Sequence, residues 1–388
     1  MTAYNGTTPP NISAQLIGTI TSGHTVQISL TKNGVSQNIS FTPPQLEVHG
    51  DSITNGQYAD IKYDTKGNLH LAYYDDVARD LKYAVRDTHG SWSPIQTIDN
   101  TFEAGVDASM AIADNGTIGI AYSSSNVGDL KYAFFDGTNW TTQTVDARGS
   151  TGHYPSLAFS RSNGPAITYY DLTHHDLRMA ISANTDSGWT LSTLDSGTVG
   201  TKDVGRYSSL ALDPTRTTSS KWAVSYDDDS AGKIMYAVQG SIGGGVQKNA
   251  YTFFTIADTT QAGGYTSLNF DSQNRPAISF YDSGITGVRF TQSTGSTLTG
   301  VVFATTIVNQ TATLGAYTDL SFDANGAATI FYFDKSHNRV LRSVFSNHKW
   351  ATTALAAGGR EIHVARFGKT VAYTDLDVAL PALKVLFI

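Results

Sequence analysis

Tyr58-Ala-Asp-Ile-Lys-Tyr-Asp64, Leu69-His-Leu-Ala-Tyr-Tyr-Asp75, Leu81-Lys-Tyr-Ala-Val85 and Trp92-Ser-Pro-Ile-Gln-Thr-Ile98 read as four short strands in succession. Each run is rich in β-branched and aromatic residues and is bounded by Gly, Asn or Asp, the composition of a strand between tight turns. The same phrase returns along the chain. Its second line recurs as Ile120-Ala-Tyr-Ser-Ser124, Ile167-Thr-Tyr-Tyr-Asp171, Val224-Ser-Tyr-Asp-Asp228, Ile278-Ser-Phe-Tyr-Asp282, Ile330-Phe-Tyr-Phe-Asp334 and Val371-Ala-Tyr-Thr-Asp375. First-strand anchors at Tyr58, Asp107, Tyr154, Tyr207, Tyr265, Tyr317 and Glu361 lie 44 to 58 residues apart. A period of this size marks a stacked or radial repeat. No sustained helical period interrupts it, and β-solenoid coils are shorter than these steps. Seven units of four strands predict an all-β fold, a seven-bladed β-propeller of four-stranded antiparallel blades.

The last copy is incomplete. It offers Glu361–Arg366, Thr370–Tyr373 and Leu383–Ile388, and no fourth strand. An open edge would leave unpaired backbone groups, so a strand from elsewhere is expected to complete the blade. Residues 43–49 fit, because Val48 precedes Gly56 much as Ile98 precedes Gly105 and Val145 precedes Gly152. Pro43 and Pro44 are tolerated on an outermost strand. Upstream, Thr25–Leu30 and Val35–Phe41 flank Lys32-Asn33-Gly34, a hairpin signal. The expected organisation is an arm with a β-hairpin over residues 1–42 and a propeller over 43–388. The arm is expected to pack on the propeller or to join a partner subunit.

Composition narrows the partners. A formal charge of -7 offers no basic face to nucleic acid or anionic lipid. The chain has no cysteine, which excludes disulfides, thiolate metal sites and cysteine nucleophiles. No apolar run approaches the ~18 residues of a membrane span. Met1–Pro10 has neither the basic nor the apolar part of a signal peptide. This suits a protein released without one, as virion proteins are, or one whose signal has been removed.

Much of the polar repetition belongs to turns. Asp64-Thr-Lys-Gly67, Asp114-Asn-Gly116, Asp271-Ser-Gln-Asn274 and Asp323-Ala-Asn-Gly326 are hairpin turns built on Asx hydrogen bonds. Between the third and fourth strands lie Asp87-Thr-His-Gly-Ser-Trp92, Asp136-Gly-Thr-Asn-Trp140, Asp186-Ser-Gly-Trp189 and Asn347-His-Lys-Trp350. These resemble the Asp-box of sialidase-like propellers, a Ser-x-Asp-x-Gly-x-Thr-Trp turn at the same place in the blade, although the leading serine is absent and the Asp-to-Trp spacing varies. The resemblance covers residues 50–388 as architecture. It implies a propeller in which the tryptophan packs between blades as a folding element.

Loops after the second and fourth strands emerge on one rim, where two series converge. One is the aspartate ending the second strand: Asp75, Asp171, Asp228, Asp282, Asp334 and Asp375. The other is a Gly-x-Tyr entrance to the first strand, seen at Gly56, Gly152, Gly205, Gly263 and Gly315, with Gly105-Val-Asp107 as the exception. Residues shared by all blades serve the repeat, so a site is sought where blades differ. The middle residue of the entrance changes from Gln57 to Val106, His153, Arg206, Gly264 and Ala316. Blade 3 adds His174 and His175, and blade 4 adds Asp227, Asp228 and Asp229. The expected ligand-binding cluster is His153, His175, Arg206 and Asp228, with Tyr154 or Tyr207 stacking on a polar ligand such as a sugar. Calcium is conceivable at Asp227–Asp229 or Asp75-Asp76, but neither run has a calcium-loop spacing. No cofactor or metal site is assigned.

A sialidase-type hydrolase would bring three arginines to the channel mouth, and only Arg206 stands at a strand entrance. Glu47, Glu103 and Glu361 are the only glutamates, and none is expected near the site. No nucleophile elbow, zinc-binding helix, phosphate loop or dinucleotide fingerprint is present. No catalytic residue is assigned. The sequence therefore points to a non-enzymatic binding or attachment protein, extracellular or on a virion surface, that recognises glycans through the rim. The alternatives are a sialidase-like glycoside hydrolase or lyase, and an architectural subunit of a phage tail, capsid or fibre that assembles through its arm.

Overall fold

The computed structural model describes residues 12–17, 26–32, 35–41, 45–48 and 55–387, the last span without 102, 185–187, 198–200, 216–219, 243–244, 249, 259–262, 297–299, 311–316, 324, 358–359, 366–369 and 376–381. Every regular element among the described residues is a β-strand. None of them belongs to a helix long and apolar enough to cross a membrane.

The chain divides into two compact units, residues 1–47 with 386–388 and residues 48–385. In the first, Ile12–Ile17, Val26–Lys32 and Val35–Phe41 form an antiparallel sheet in chain order. The expected hairpin pairs Lys32 with Val35, while its Asn33-Gly34 turn lies outside the described residues. Ile12–Ile17 was not foreseen. Ile12, Ala14 and Leu16 alternate with Ser13 and Gln15 as in a strand, and the connection to the next strand lies outside the described residues.

The second unit carries the blades, and in blades 1, 2, 3, 5 and 6 the strands are ordered in sequence. Blade 1 comprises Gly56–Tyr63, Leu69–Asp75, Asp80–Arg86 and Gln96–Asp99, and blade 2 comprises Ala104–Ile112, Ile118–Ser124, Asp129–Phe135 and Trp140–Asp146. Blade 3 runs through His153–Phe159, Pro165–Asp171, Asp176–Ile181 and Thr190–Asp195. Blade 4 runs through Val204–Leu212, Trp222–Asp228, Lys233–Gln239 and Tyr251–Asp258, with Val246–Lys248 added as a fifth strand on its outer edge. Blade 5 comprises Gly263–Phe270, Pro276–Asp282, Gly287–Ser293 and Phe303–Asn309, and blade 6 comprises Asp319–Phe322, Ala328–Asp334, Arg339–Ser346 and Lys349–Ala357. Blade 7 has Arg360–Ala365, Thr370–Asp375 and Ala382–Phe387, and the fourth strand of its sheet is Gln45–Val48. That strand falls inside the 43–49 expected to close the ring; Pro43, Pro44 and His49 lie outside the described residues.

Inner strands of successive blades pack against one another, and Arg360–Ala365 returns to Gly56–Tyr63. Three repeated devices hold the ring. An inner-strand serine accepts the backbone N–H of the next blade: Leu157 to Ser109 at 3.1 Å, Leu210 to Ser156 at 2.9 Å, Leu268 to Ser209 at 3.0 Å and Leu320 to Ser267 at 3.0 Å. Asp60 takes this role between blades 1 and 2, accepting Met110 N–H at 2.8 Å. Next, an aspartate ending the fourth strand accepts the buried tyrosine hydroxyl of the following blade: Tyr122 to Asp99 at 2.6 Å, Tyr169 to Asp146 at 2.7 Å and Tyr226 to Asp195 at 2.8 Å. Leaving one of these buried phenols unpaired would cost about 1–3 kcal/mol. Third, the turn tryptophans pack on aromatic rings of the preceding blade, Trp140 on Tyr83 at 4.8 Å, Trp189 on Tyr132 at 5.3 Å and Trp350 on Phe290 at 5.3 Å. The Asp-box-like turns thus belong to the folding of the ring.

Candidate functional site

The inner-strand entrance explains itself residue by residue. A Cβ on Gly105, Gly152 or Gly205 would stand 3.0, 2.6 or 2.6 Å from the Cα of Leu81, Leu130 or Leu177 in the blade before. Only glycine lets the two backbones approach so closely. The third residue adopts a left-handed conformation in six blades: Tyr58, Asp107, Tyr154, Tyr207, Tyr265 and Tyr317 have φ between 49° and 66°. Register shifts at Gln57/Asp60, His153/Ser156, Arg206/Ser209 and Gly264/Ser267 identify it as a β-bulge. All six bulged residues line a central cavity of about 690 Å³.

Four of these tyrosines form an arc across blades 3 to 6. Ring centroids are 4.5 Å apart for Tyr154 and Tyr207, 4.0 Å for Tyr207 and Tyr265, and 4.6 Å for Tyr265 and Tyr317. Blade 5 has glycine at the variable position because a Cβ on Gly264 would lie 3.0 Å from the Tyr207 ring. In blade 2 the arc is broken by Asp107, whose carboxylate accepts the Tyr154 N–H at 3.2 Å. Burial pushes its pKa up to about 6.

The pairing register also sets each variable entrance residue opposite the residue before the second-strand aspartate. His153 faces Tyr170, and Arg206 faces Asp227. At the rim between blades 3 and 4 this produces a network. The Tyr170 hydroxyl donates to Asp203 at 2.8 Å, and Arg206 Nη2 donates to the same carboxylate at 2.7 Å. His175 Nδ1 lies 3.0 Å from the Tyr170 hydroxyl and 3.4 Å from Asp203 Oδ2. The Arg206 guanidinium sits 5.2 Å from the centre of the Tyr170 ring. Asp227 is 1% exposed, and its Oδ1 has no hydrogen-bond partner among the described residues. Burial, then the charges of Asp229 and Asp228, push its pKa up to about 8.

Of the residues singled out in the sequence, His175 and Arg206 meet through Tyr170 and Asp203, and the rings of Tyr154 and Tyr207 touch at a tilt of 42°. His153 bonds Ser150 Oγ at 2.9 Å and lies beside Tyr154; burial, with the charge of Arg206, lowers its pKa. Asp228 accepts Ser230 Oγ and the Ala231 N–H, each at 3.0 Å, and so serves its own turn. His174 pairs with Asp171 at 2.8 Å. Tyr170 and Asp203 were missed, and Asp227, singled out with Asp228 and Asp229, was left out of the expected cluster, although the register opposite His153 and Arg206 points to Tyr170 and Asp227. Glu103, set aside in the sequence, stands on the rim between blades 1 and 2, where it meets Arg79 at 3.0 Å and Ser125 Oγ at 2.7 Å. Among the described residues no three acidic or imidazole side chains converge as metal ligands. Asp75 spends its carboxylate on the amides of Val77 and Ala78.

This ring has known counterparts. An ulvan lyase from a new family of polysaccharide lyases superposes with a TM-score of 0.61 at 12% identity, covering 88% of this chain and 94% of that one. The chain shares the fold of that lyase. The leech intramolecular trans-sialidase, complexed with 2,7-anhydro-Neu5Ac, gives 0.50 at 11% identity, covering 76% of this chain and 67% of that one. The β-propeller domain of Cps50 (Swd1) from Myceliophteria thermophila gives 0.56 at 10% identity, covering 89% and 99%. At such identities the likeness is one of fold. No protein-family model matches the sequence, and no curated protein is similar to it in sequence.

Proposed function

We propose that the chain binds a glycan at the channel mouth and the adjoining rim of blades 3 and 4. The observation that carries this reading is the Tyr170–Asp203–Arg206–His175 network standing beside the tyrosine arc. Its charges neutralise one another, so it offers donors and acceptors to sugar hydroxyls without a strong field. The arc supplies aromatic surface against which the apolar face of a pyranose packs. The ulvan lyase and the trans-sialidase lend support as carbohydrate-active proteins of similar fold. Display outside a cell, with the arm serving assembly, is the setting this binding role would suit.

Cleavage of the glycan is the second reading, favoured by the carboxyl of Asp227 with its pKa near 8. Binding is preferred because Asp227 is 1% exposed and so closed to a scissile bond. The more accessible Asp203 is committed to Tyr170 and Arg206. A glycan array combined with a turnover assay on the sugars that bind separates the two. Binding lost in Arg206→Ala, without turnover in the wild type, is the expected result; release of product from a bound sugar would replace the binding reading by the catalytic one.

A further inference from the structure

The repeat places tyrosine at the bulged, channel-facing position in blades 1, 3, 4, 5 and 6, and aspartate in blade 2. That exchange weakens the ring on its own terms. Tyrosine buries apolar surface and stacks on its neighbour, whereas a carboxylate at the same place gives up solvent for one hydrogen bond, from the Tyr154 N–H. Among the described residues no cation answers it. Lys62, which also lines the cavity, is held by Asp60 at 2.6 Å, and Arg206 is held by Asp203. Asp107 therefore faces the cavity as an uncompensated acid, with tyrosine rings from the other blades around the same mouth.

We propose that the channel mouth is a site for an amine-bearing ligand, in which Asp107 is the counter-ion and the surrounding tyrosines present their π faces to the cation. An ammonium group supplies the donors that the carboxylate lacks, and aromatic faces attract cations by their quadrupole. A neutral ligand leaves the carboxylate uncompensated, and an anion is repelled by it. The inference rests on the glycan reading only in its choice of ligand, a sugar with a free amino group in place of an N-acetylated or unsubstituted one. The raised pKa of Asp107 agrees with an acid that lacks a positive partner.

Calorimetric titration of the full chain with glucosamine, N-acetylglucosamine, glucose and tetramethylammonium tests the site. Glucosamine is expected to bind about tenfold more tightly than N-acetylglucosamine, the size of one ion pair reinforced by a cation–π contact. Asp107→Asn, which keeps the shape, should abolish the difference, and so should Asp107→Tyr, which restores the residue of the other blades; thermal melts check that each variant folds. Equal binding of amine and N-acetyl sugars, no binding of either amine or tetramethylammonium, or a preference that survives both substitutions would overturn the proposal. Neutral sugars bound through Arg206 without amine preference would leave the glycan reading standing and remove this one. Tetramethylammonium bound through Asp107, with no sugar bound at all, would do the reverse.

Discussion

Two rim junctions of the ring are built from the same parts and differ in where their cation comes from. Between blades 1 and 2, Tyr74 precedes the second-strand aspartate, Arg79 has φ 60°, and Glu103 precedes the next inner strand. Between blades 3 and 4 the corresponding residues are Tyr170, His175 with φ 60°, and Asp203. At the first junction Arg79 reaches the acid from the loop, and the pair closes on itself with Ser125. At the second, the shorter histidine leaves the acid to Arg206, which arrives from the channel mouth. A cation is thereby held at the mouth of blade 4, while the mouth position of blade 2 is Val106 followed by Asp107, which meets no cation among the described residues. One side of the mouth offers a guanidinium and the other a carboxylate, with His153 and Tyr154 between them.

The largest expected difference concerns the residue facing each mouth position. Blade 2 has Ser123, buried and neutral, where blade 4 has Asp227. A carboxyl whose folded pKa lies above its unfolded value binds more protons in the native state, so its contribution is intact below the unfolded pKa and lost as pH rises through the folded one. With a folded value of about 8, wild-type stability should decline from near pH 4 to near pH 8. Asp227→Asn should flatten that decline, leaving the variant more stable by roughly 2–5 kcal/mol at pH 9 and near parity at pH 4. Denaturant midpoints across pH measure it, and parallel curves for the two proteins would remove Asp227 from the contrast.

Next in size is the asymmetry of binding itself. Arg206→Ala should weaken glycan binding about 10- to 100-fold, the range for losing a hydrogen bond to a charged group. Arg79→Ala should leave affinity unchanged and cost under about 1 kcal/mol of stability, because exposed ion pairs contribute little. Titration of both variants with one ligand gives the comparison directly. Equal losses would show that the two junctions are alike in function, and the assignment to blades 3 and 4 would fall.

The repeat that built both junctions was open to reading because each second strand is buried on both faces and spells itself out as an apolar run. The closure by residues near Val48 followed from counting strands, since backbone pairing leaves no freedom at an edge. The site was only half readable. His175 and Arg206 stood out because they break the pattern, whereas Tyr170 is hidden inside Ile167-Thr-Tyr-Tyr-Asp171, a phrase shared with other blades. Asp203 lies in a connection that has no fixed length from blade to blade. Strand alternation divides Asp227 from Asp228, one turned inward and the other capping its loop, and three successive aspartates give no phase by which to tell them apart. The bond from fourth-strand aspartate to the next blade's tyrosine was missed for a related reason: its halves sit 23 residues apart for Tyr122 and Asp99, and 31 for Tyr226 and Asp195.

The smallest expected effect probes the arc without touching charge. Gly264 occupies in blade 5 the place that Val106 holds in blade 2, and Tyr207 lies over it. Its backbone is not left-handed, so alanine is conformationally allowed and gains a few tenths of a kcal/mol from a stiffer unfolded chain. Against this, the added methyl meets the Tyr207 ring at 3.0 Å and must displace it by a few tenths of an ångström. The two terms nearly cancel, and Gly264→Ala should change stability by less than about 1 kcal/mol. Affinity should respond more visibly, by about two- to fivefold, because the displaced ring is the one stacked most closely on its neighbours and packed cores transmit small shifts. If glycan affinity stays unchanged while near-ultraviolet circular dichroism shows that the tyrosines have moved, the arc has no share in binding, and the difference between the two sides of the mouth reduces to Asp107 and Arg206 alone.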